Sequence, residues 1–167
     1  VSDLCDLTLL DFNDETIEYA QKALMQVRTQ SGRVTPIKLL QRSVHQLLRQ
    51  ANTGDIDLQW ESYDVVYCAG LFDYLSQRVC RRLNDLFVRL LAPGGMLIVT
   101  NVSDKNPSRA WMDFGVEWNL IYRDDAGMME IAPQGAGQIE TELKRDPTGV
   151  NLFLEIRKRD KNGGGFQ

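Results

Sequence analysis

An aspartate closes the first apolar run of this 167-residue chain, at the end of LTLLD. In an open α/β sheet a ligand lies across the carboxyl ends of the strands. A carboxylate at such a tip can accept two hydrogen bonds from the diol of a ribose, and Asp11 has that position. Helix capping is the alternative role, but Asn13 and Asp14 already supply caps for the helix that follows. Further along, Cys68, Ala69 and Gly70 end a second apolar run, and Phe72, Asp73 and Tyr74 follow directly. Trp111, Phe114, Trp118 and Tyr122 recur at i, i+3, i+7 and i+11, with Glu117 and Arg123 among them. That spacing reads either as the buried face of a helix or as an apolar substrate wall. In the second reading Arg123 would grip an anion with its fork of donors, unless Glu117 or Asp124 holds it in a salt bridge. Cys5, Cys68 and Cys80 have no metal-type spacing, and His45, the single histidine, cannot complete a usual zinc set.

The elements that must position these residues alternate. Residues 7–12 suit a strand buried on both faces. Ile17, Ala20, Leu24 and Val27 then recur at helical spacing, and Gly32 is the expected stop. Residues 36–41 read as a weaker strand, 43–50 as a short helix, and 52–57 as a loop around Gly54. Tyr63–Cys68 is rich in β-branched and aromatic residues. Ser76 is a candidate cap for a helix whose stripe is Val79, Leu83, Leu86, Phe87 and Leu90. Ala92-Pro93-Gly94-Gly95 ends it, and residues 96–102 form a fourth strand. Beyond that, residues 107–118 are expected to be helical, 124–131 a short helix and 134–137 a loop. Residues 139–144 and 151–157 flank Asp146-Pro147-Thr148-Gly149, a turn signal for an antiparallel hairpin. This alternation implies βαβ crossovers and a parallel sheet, in one domain over residues 1–160 with a frayed tail at 161–167.

Composition bounds the function only broadly. The chain is 43% hydrophobic and 25% charged, with net charge -4 and a pI near 5.0, so nothing favours a dedicated nucleic-acid binder. No apolar run approaches the ~18–20 residues of a bilayer span, and no secretory signal opens the chain. Reduced thiols point to the cytoplasm. Val1, where a Met would be expected, leads straight into a strand-like run, which suggests a processed or partial sequence.

Three segments, taken in order, carry a resemblance. LTLLDFNDETIEYAQKAL resembles the second-strand motif of class I, Rossmann-like S-adenosylmethionine-dependent methyltransferases. YDVVYCAGLFDYL is similar to their fourth-strand motif, and LAPGGMLIVTNV to their turn and fifth strand. The resemblance implies a three-layer α/β/α fold, a mostly parallel sheet with a C-terminal antiparallel hairpin, and S-adenosyl-L-methionine as cofactor. It implies that Asp11 holds the ribose hydroxyls, with Phe12 and Asn13 beside it. Ser43 and Val44 would lie near the adenine, where many relatives place an Asp. Cys68, Ala69 and Gly70 would line the methionine end, with Gly70 allowing a close backbone approach. Phe72, Tyr74, Trp111, Trp118, Tyr122 and Arg123 would contact a small or lipid-like methyl acceptor, with an oxygen nucleophile such as a carboxylate. More narrowly, NPSRAWMDFGVEWNLIYRD resembles a segment of bacterial proteins of 3-hydroxypalmitic acid methyl ester synthesis.

One departure matters. The family's first strand and its glycine-rich turn have no counterpart in this sequence, and the run Gly163–Gly165 lies in the tail. In the family's order that strand would lie between residues 7–12 and 63–68. The gap could close by direct pairing of those two strands, by residues outside this sequence, or by a strand from another chain, which would make a homodimer. Two rivals are a nucleotide-binding oxidoreductase, disfavoured because no G-x-G-x-x-G follows a strand, and a non-catalytic interaction module.

Overall fold

A computed structural model describes residues 4–134 and 139–160. The chain divides into two compact units, Val1–Ile56 and Asp57–Gln167. The expected tail at 161–167 and most of the expected loop at 134–137 lie outside the described residues.

The first unit is built from β1 (Leu7–Asp11), α1 (Asp14–Ser31), β2 (Ile37–Gln41) and α2 (Val44–Thr53). β1 and β2 pair in parallel, with Leu7 opposite Ile37 and Asp11 opposite Gln41, as a strand–helix–strand crossover requires. Asn13 caps α1, its side chain accepting from Thr16 N at 3.0 Å, and Gly32 ends the helix at φ 63. Ser43 and Gln46 form a capping box at the start of α2, and Gly54 ends it at φ 77. Leu40, Leu47, Leu48 and Ala51 are buried. The apolar stripe of α1 is not: that helix buries none of its residues.

The second unit carries β3 (Tyr63–Cys68), α3 (Gln77–Leu90), β4 (Leu91–Val102), α4 (Asp125–Glu130), β5 (Ile139–Arg145) and β6 (Asn151–Lys158). Its sheet order is β3-β4-β6-β5, parallel between β3 and β4 and antiparallel between β4 and β6 and between β6 and β5. Only β6 runs against the others, because the hairpin at Asp146–Gly149 folds the last strand back between β4 and β5. The Asp146 carboxylate accepts from Asn151 Nδ2 at 3.0 Å and from Thr148 Oγ1 at 2.9 Å, with Gly149 at φ 72. Leu97, Val99, Leu152, Leu154 and Ile156 are fully buried on one sheet face, by the register Leu97↔Ile156 and Val99↔Leu154. α3 buries Cys80, Leu83, Leu86, Phe87 and Leu90. Val79, expected in that stripe, is half-buried, and Cys80 takes its place.

Three expectations change. The Ala92–Gly95 turn lies inside β4, where pairing jumps from Tyr63↔Leu91 to Val65↔Met96. Gly95 is required there, since a Cβ would come within 2.8 Å of Tyr63 O and 2.9 Å of Ala92 O. Ser76 stands at the N-cap of α3 without a side-chain capping bond. Residues 107–118 form no continuous helix: Arg109 and Ala110 are helical and run into a π turn, Trp111–Gly115, closed by Val116 N donating to Trp111 O at 3.2 Å. Glu117 then turns the chain at φ 54, which a continuing helix forbids. Among the described residues of its own unit, β1 pairs only with β2, and β3 only with β4.

Candidate functional site

In the first unit the chemistry collects at the carboxyl ends of β1 and β2. Asp11 closes β1 half-buried. Its Oδ1 accepts from Asn13 N at 2.8 Å, and its other oxygen has no hydrogen-bond partner among the described residues. Phe12 is exposed beside it. The Asn13 oxygen is committed to the α1 cap, so what it offers outward is its amide nitrogen. Ser43 is committed in the same way, its hydroxyl accepting from Gln46 N at 3.2 Å. Val44 follows, half-buried at the start of α2. His45 is exposed.

In the second unit β3 ends at Cys68, with Ala69 and Gly70 exposed beyond it. Burial pushes the Cys68 thiol up to about 12, with Cys80 adding to the rise, so it stands as a neutral thiol. Gly70 lies at φ 73 and donates its N–H to Thr100 Oγ1 at 3.1 Å. A Cβ there would meet nothing within 4 Å. Its need for glycine is therefore the positive φ, not a close approach within the chain, and the space over its backbone is open.

Phe72 and Arg123 do not have the surroundings expected of acceptor contacts. Phe72 is fully buried in the 3-10 turn Phe72–Tyr74 and is a core residue. Arg123 is only 4% exposed. Its Nε donates to Gln77 Oε1 at 2.9 Å and its Nη1 to Phe72 O at 2.8 Å and to Asn101 Oδ1. Its Nη2 donates to Leu75 O and, at 3.4 Å, to Cys80 Sγ. All five guanidinium donors are satisfied by the protein, and neither Glu117 nor Asp124 is the partner. Asp73, also buried, completes this knot: its Oδ1 accepts from Val102 N at 2.7 Å. Burial raises its carboxyl above the ordinary range, against the pull of the Val102 N–H and of Arg123. Asn101 Nδ2 donates to Ile121 O at 2.9 Å, and Ile121 N to Asp73 O at 2.7 Å. The turn after β3 is thereby fastened to the end of β4 and to the segment before α4.

The remaining aromatics stand outside that knot. Tyr74, Trp111, Phe114 and Trp118 are exposed, so they are not the buried face of a helix. Trp118 Nε1 donates to Tyr74 Oη at 2.7 Å. Tyr122, half-buried, donates to Asp113 Oδ1 at 3.1 Å beneath the guanidinium of Arg109, which lies 4.4 Å from its ring centre. Sequence reading missed Thr100, Asn101 and Gln77. The one available signal was the Thr-Asn pair interrupting an apolar strand at its carboxyl end.

An S-adenosyl nucleoside with a methionine tail fits the residues present in part. In the first unit Asp11 has an open carboxylate oxygen of the kind a ribose diol needs; in the second, taken by itself, Gly70 has an open backbone next to a neutral thiol. A glycine-rich turn for the methionine end is not in the sequence. Among the described residues no group of His, Cys, Asp and Glu is placed to hold a metal ion, and no helix is long and apolar enough to cross a membrane.

Comparison with known proteins places this arrangement. The chain is similar in structure to a protein of Bordetella parapertussis, at 17% identity and a TM-score of 0.68, over 92% of this chain and 53% of that one. It resembles the magnesium protoporphyrin IX methyltransferase of Synechocystis PCC 6803, solved with bound SAH, at 12% identity and a TM-score of 0.60, over 92% and 64%. The N-methyltransferase NodS of Bradyrhizobium japonicum matches at 16% identity and a TM-score of 0.52, over 93% and 74%. The chain thus spans about half the length of the Bordetella protein. No curated protein matches by sequence. The α/β order, with parallel strand pairs β1-β2 and β3-β4 and a terminal antiparallel hairpin, is the Rossmann-like fold of the two methyltransferases. The family described as "Methyltransferase domain" matches residues 2–99, more than half of the chain, and the chain belongs to that family.

Proposed function

We propose that this chain works within an S-adenosylmethionine-dependent methyltransferase that modifies an oxygen of a small or lipid-like acceptor. The observation that carries the reading is Asp11: a half-buried carboxylate closing β1, with one oxygen unengaged, inside the segment that matches the methyltransferase family. When bound, the cofactor supplies a methyl group already activated on a positively charged sulfur. The chain's residues then have only to bind, orient and exclude water, and proximity provides most of the rate. Asp11 accepts from the ribose hydroxyls, while the Asn13 N–H bond keeps the carboxylate aimed. Phe12 and Val44 give apolar surface to the nucleoside side, next to Asn13 and Ser43. Cys68, Ala69 and Gly70 would take the methionine end, the Gly70 loop being pinned by Thr100.

A carboxylate acceptor, as the likeness to 3-hydroxypalmitic acid methyl ester proteins suggests, would need a cation. Arg123 does not provide it, because the protein itself occupies every donor. In the full-length protein Asp11→Ala should weaken S-adenosylmethionine binding by about 1–3 kcal/mol, the cost of charge-assisted hydrogen bonds. Calorimetry giving the same affinity with the fold intact would overturn the assignment.

A further inference from the structure

The two segments that bear the exposed aromatics carry no cation of their own, the exposed Arg78 standing just beyond the first. From Cys68 to Gln77 and from Ala110 to Tyr122 the sequence contains no Lys or Arg. The two arginines flanking the second stretch are engaged: Arg123 in its buried cage, and Arg109 with Asp113 at 3.3 Å and over the Tyr122 ring. The carboxylates of the two stretches are the buried Asp73, Asp113, which Arg109 and Tyr122 engage, and the exposed Glu117. An anion brought here would lose water and meet no opposite charge in these segments.

What the face does offer is built from two aromatic devices. The Trp111 indole rests on Gly115 so closely that a Cβ there would fall 2.5 Å from a ring carbon. The indole is nonetheless 67% exposed, so its opposite face is open as a platform. The second device is the Tyr74–Trp118 pair. Tyr74 Oη accepts the indole N–H at 2.7 Å, and its own hydrogen has no acceptor among the described residues. A hydroxyl that already accepts one bond is polarised to donate another. The two devices belong to one segment, since Trp118 N donates to Met112 O at 2.8 Å, next to Trp111.

We propose that this face recognises the methyl acceptor and selects an uncharged, ring-bearing molecule. One ring lies on Trp111, and a carbonyl or ether oxygen takes the Tyr74 hydrogen. The assignment rests on the methyl-transfer reading above and narrows it from any oxygen acceptor to neutral aromatic ones.

The test uses the full-length protein saturated with S-adenosylhomocysteine, titrated with methyl 4-hydroxybenzoate and with 4-hydroxybenzoate, which differ in charge. The ester should bind about tenfold or more tightly than the acid, with quenching of tryptophan fluorescence. Tyr74→Phe, which keeps the ring and removes the donor, should weaken the ester about fivefold and leave S-adenosylhomocysteine affinity and Tm in place. Trp111→Ala should weaken both ester binding and quenching. Equal or tighter binding of the acid, or an unchanged ester affinity in Tyr74→Phe, overturns the proposal. So does an ester that fails to bind while S-adenosylhomocysteine binds. Failure of S-adenosylhomocysteine itself to bind overturns the methyl-transfer reading, and this proposal with it.

Discussion

Three thiols in this chain meet three different environments, and their reactivity should separate accordingly. Cys5 is exposed, Cys68 half-buried and Cys80 buried. Burial raises Cys80 to about 11 even against the pull of Arg123, and Cys68 to about 12. At pH 8 about one Cys68 in ten thousand and about one Cys80 in a thousand would be thiolate, the reactive form. A disulfide reagent at pH 8 should therefore titrate about one thiol per folded chain, and all three cysteines only after denaturation. Rapid modification of Cys68 in the folded protein would contradict its placement against the sheet. Single residues were unevenly legible in the sequence. Asp11 and Gly32 could be placed because a strand tip and a helix stop are local patterns. The fate of Arg123 could not, because its acceptors come from Phe72, Leu75, Gln77 and Asn101, 22 or more positions away. Only the fold brings those carbonyls and amides around one guanidinium.

At the scale of elements, that cage joins the turn after β3, the end of β4 and the strand-like segment before α4. Removing the guanidinium by Arg123→Met would leave Asn101 Oδ1 without its donor and Asp73 buried beside no cation, and would strip one donor each from the Phe72 and Leu75 carbonyls, which keep Leu75 N and Cys80 Sγ. Unsatisfied buried groups cost about 1–3 kcal/mol each, so a loss of about 3 kcal/mol or more is expected. Urea denaturation checks this, and a change below about 1 kcal/mol would deny the cage its structural role. Asp73 adds a pH signature. Its folded carboxyl is raised above its unfolded value, so the folded state holds the proton to higher pH. Stability should therefore fall as pH rises from the unfolded value of 3.8 through the raised one, and this fall should be absent in Asp73→Asn. The elements themselves followed local signals well: Tyr63–Cys68 and the hairpin turn are formed where alternation and Asp-Pro-Thr-Gly place them. Residues 107–118 did not, since aromatic periodicity signals a helix while the Gly115 contact and the positive φ of Glu117 unwind it.

At the scale of the whole molecule, β1 and β3 each keep one edge that no described strand of their own unit covers. Leu7, Leu9 and Leu10 on β1 are exposed, although residues 7–12 suit a strand buried on both faces, and Val65 and Tyr67 on β3 are exposed too. An unpaired edge with apolar side chains is a template for another strand. The order of strands and helices was legible from alternation, but the pairing left open at these edges was not, because pairing is a property of neighbours. The sequence likewise contains no glycine-rich turn after an acid to receive the methionine end of the cofactor. From these two facts the 167-residue chain, expressed alone, should bind S-adenosylmethionine poorly and transfer no methyl group. A strand exchanged between copies would cover an edge without supplying that turn, so a dimer should bind no better than a monomer. Light scattering with calorimetry on the isolated chain decides this. A well-folded monomer binding the cofactor at micromolar concentration would mean that no glycine-rich turn is needed and would overturn the prediction.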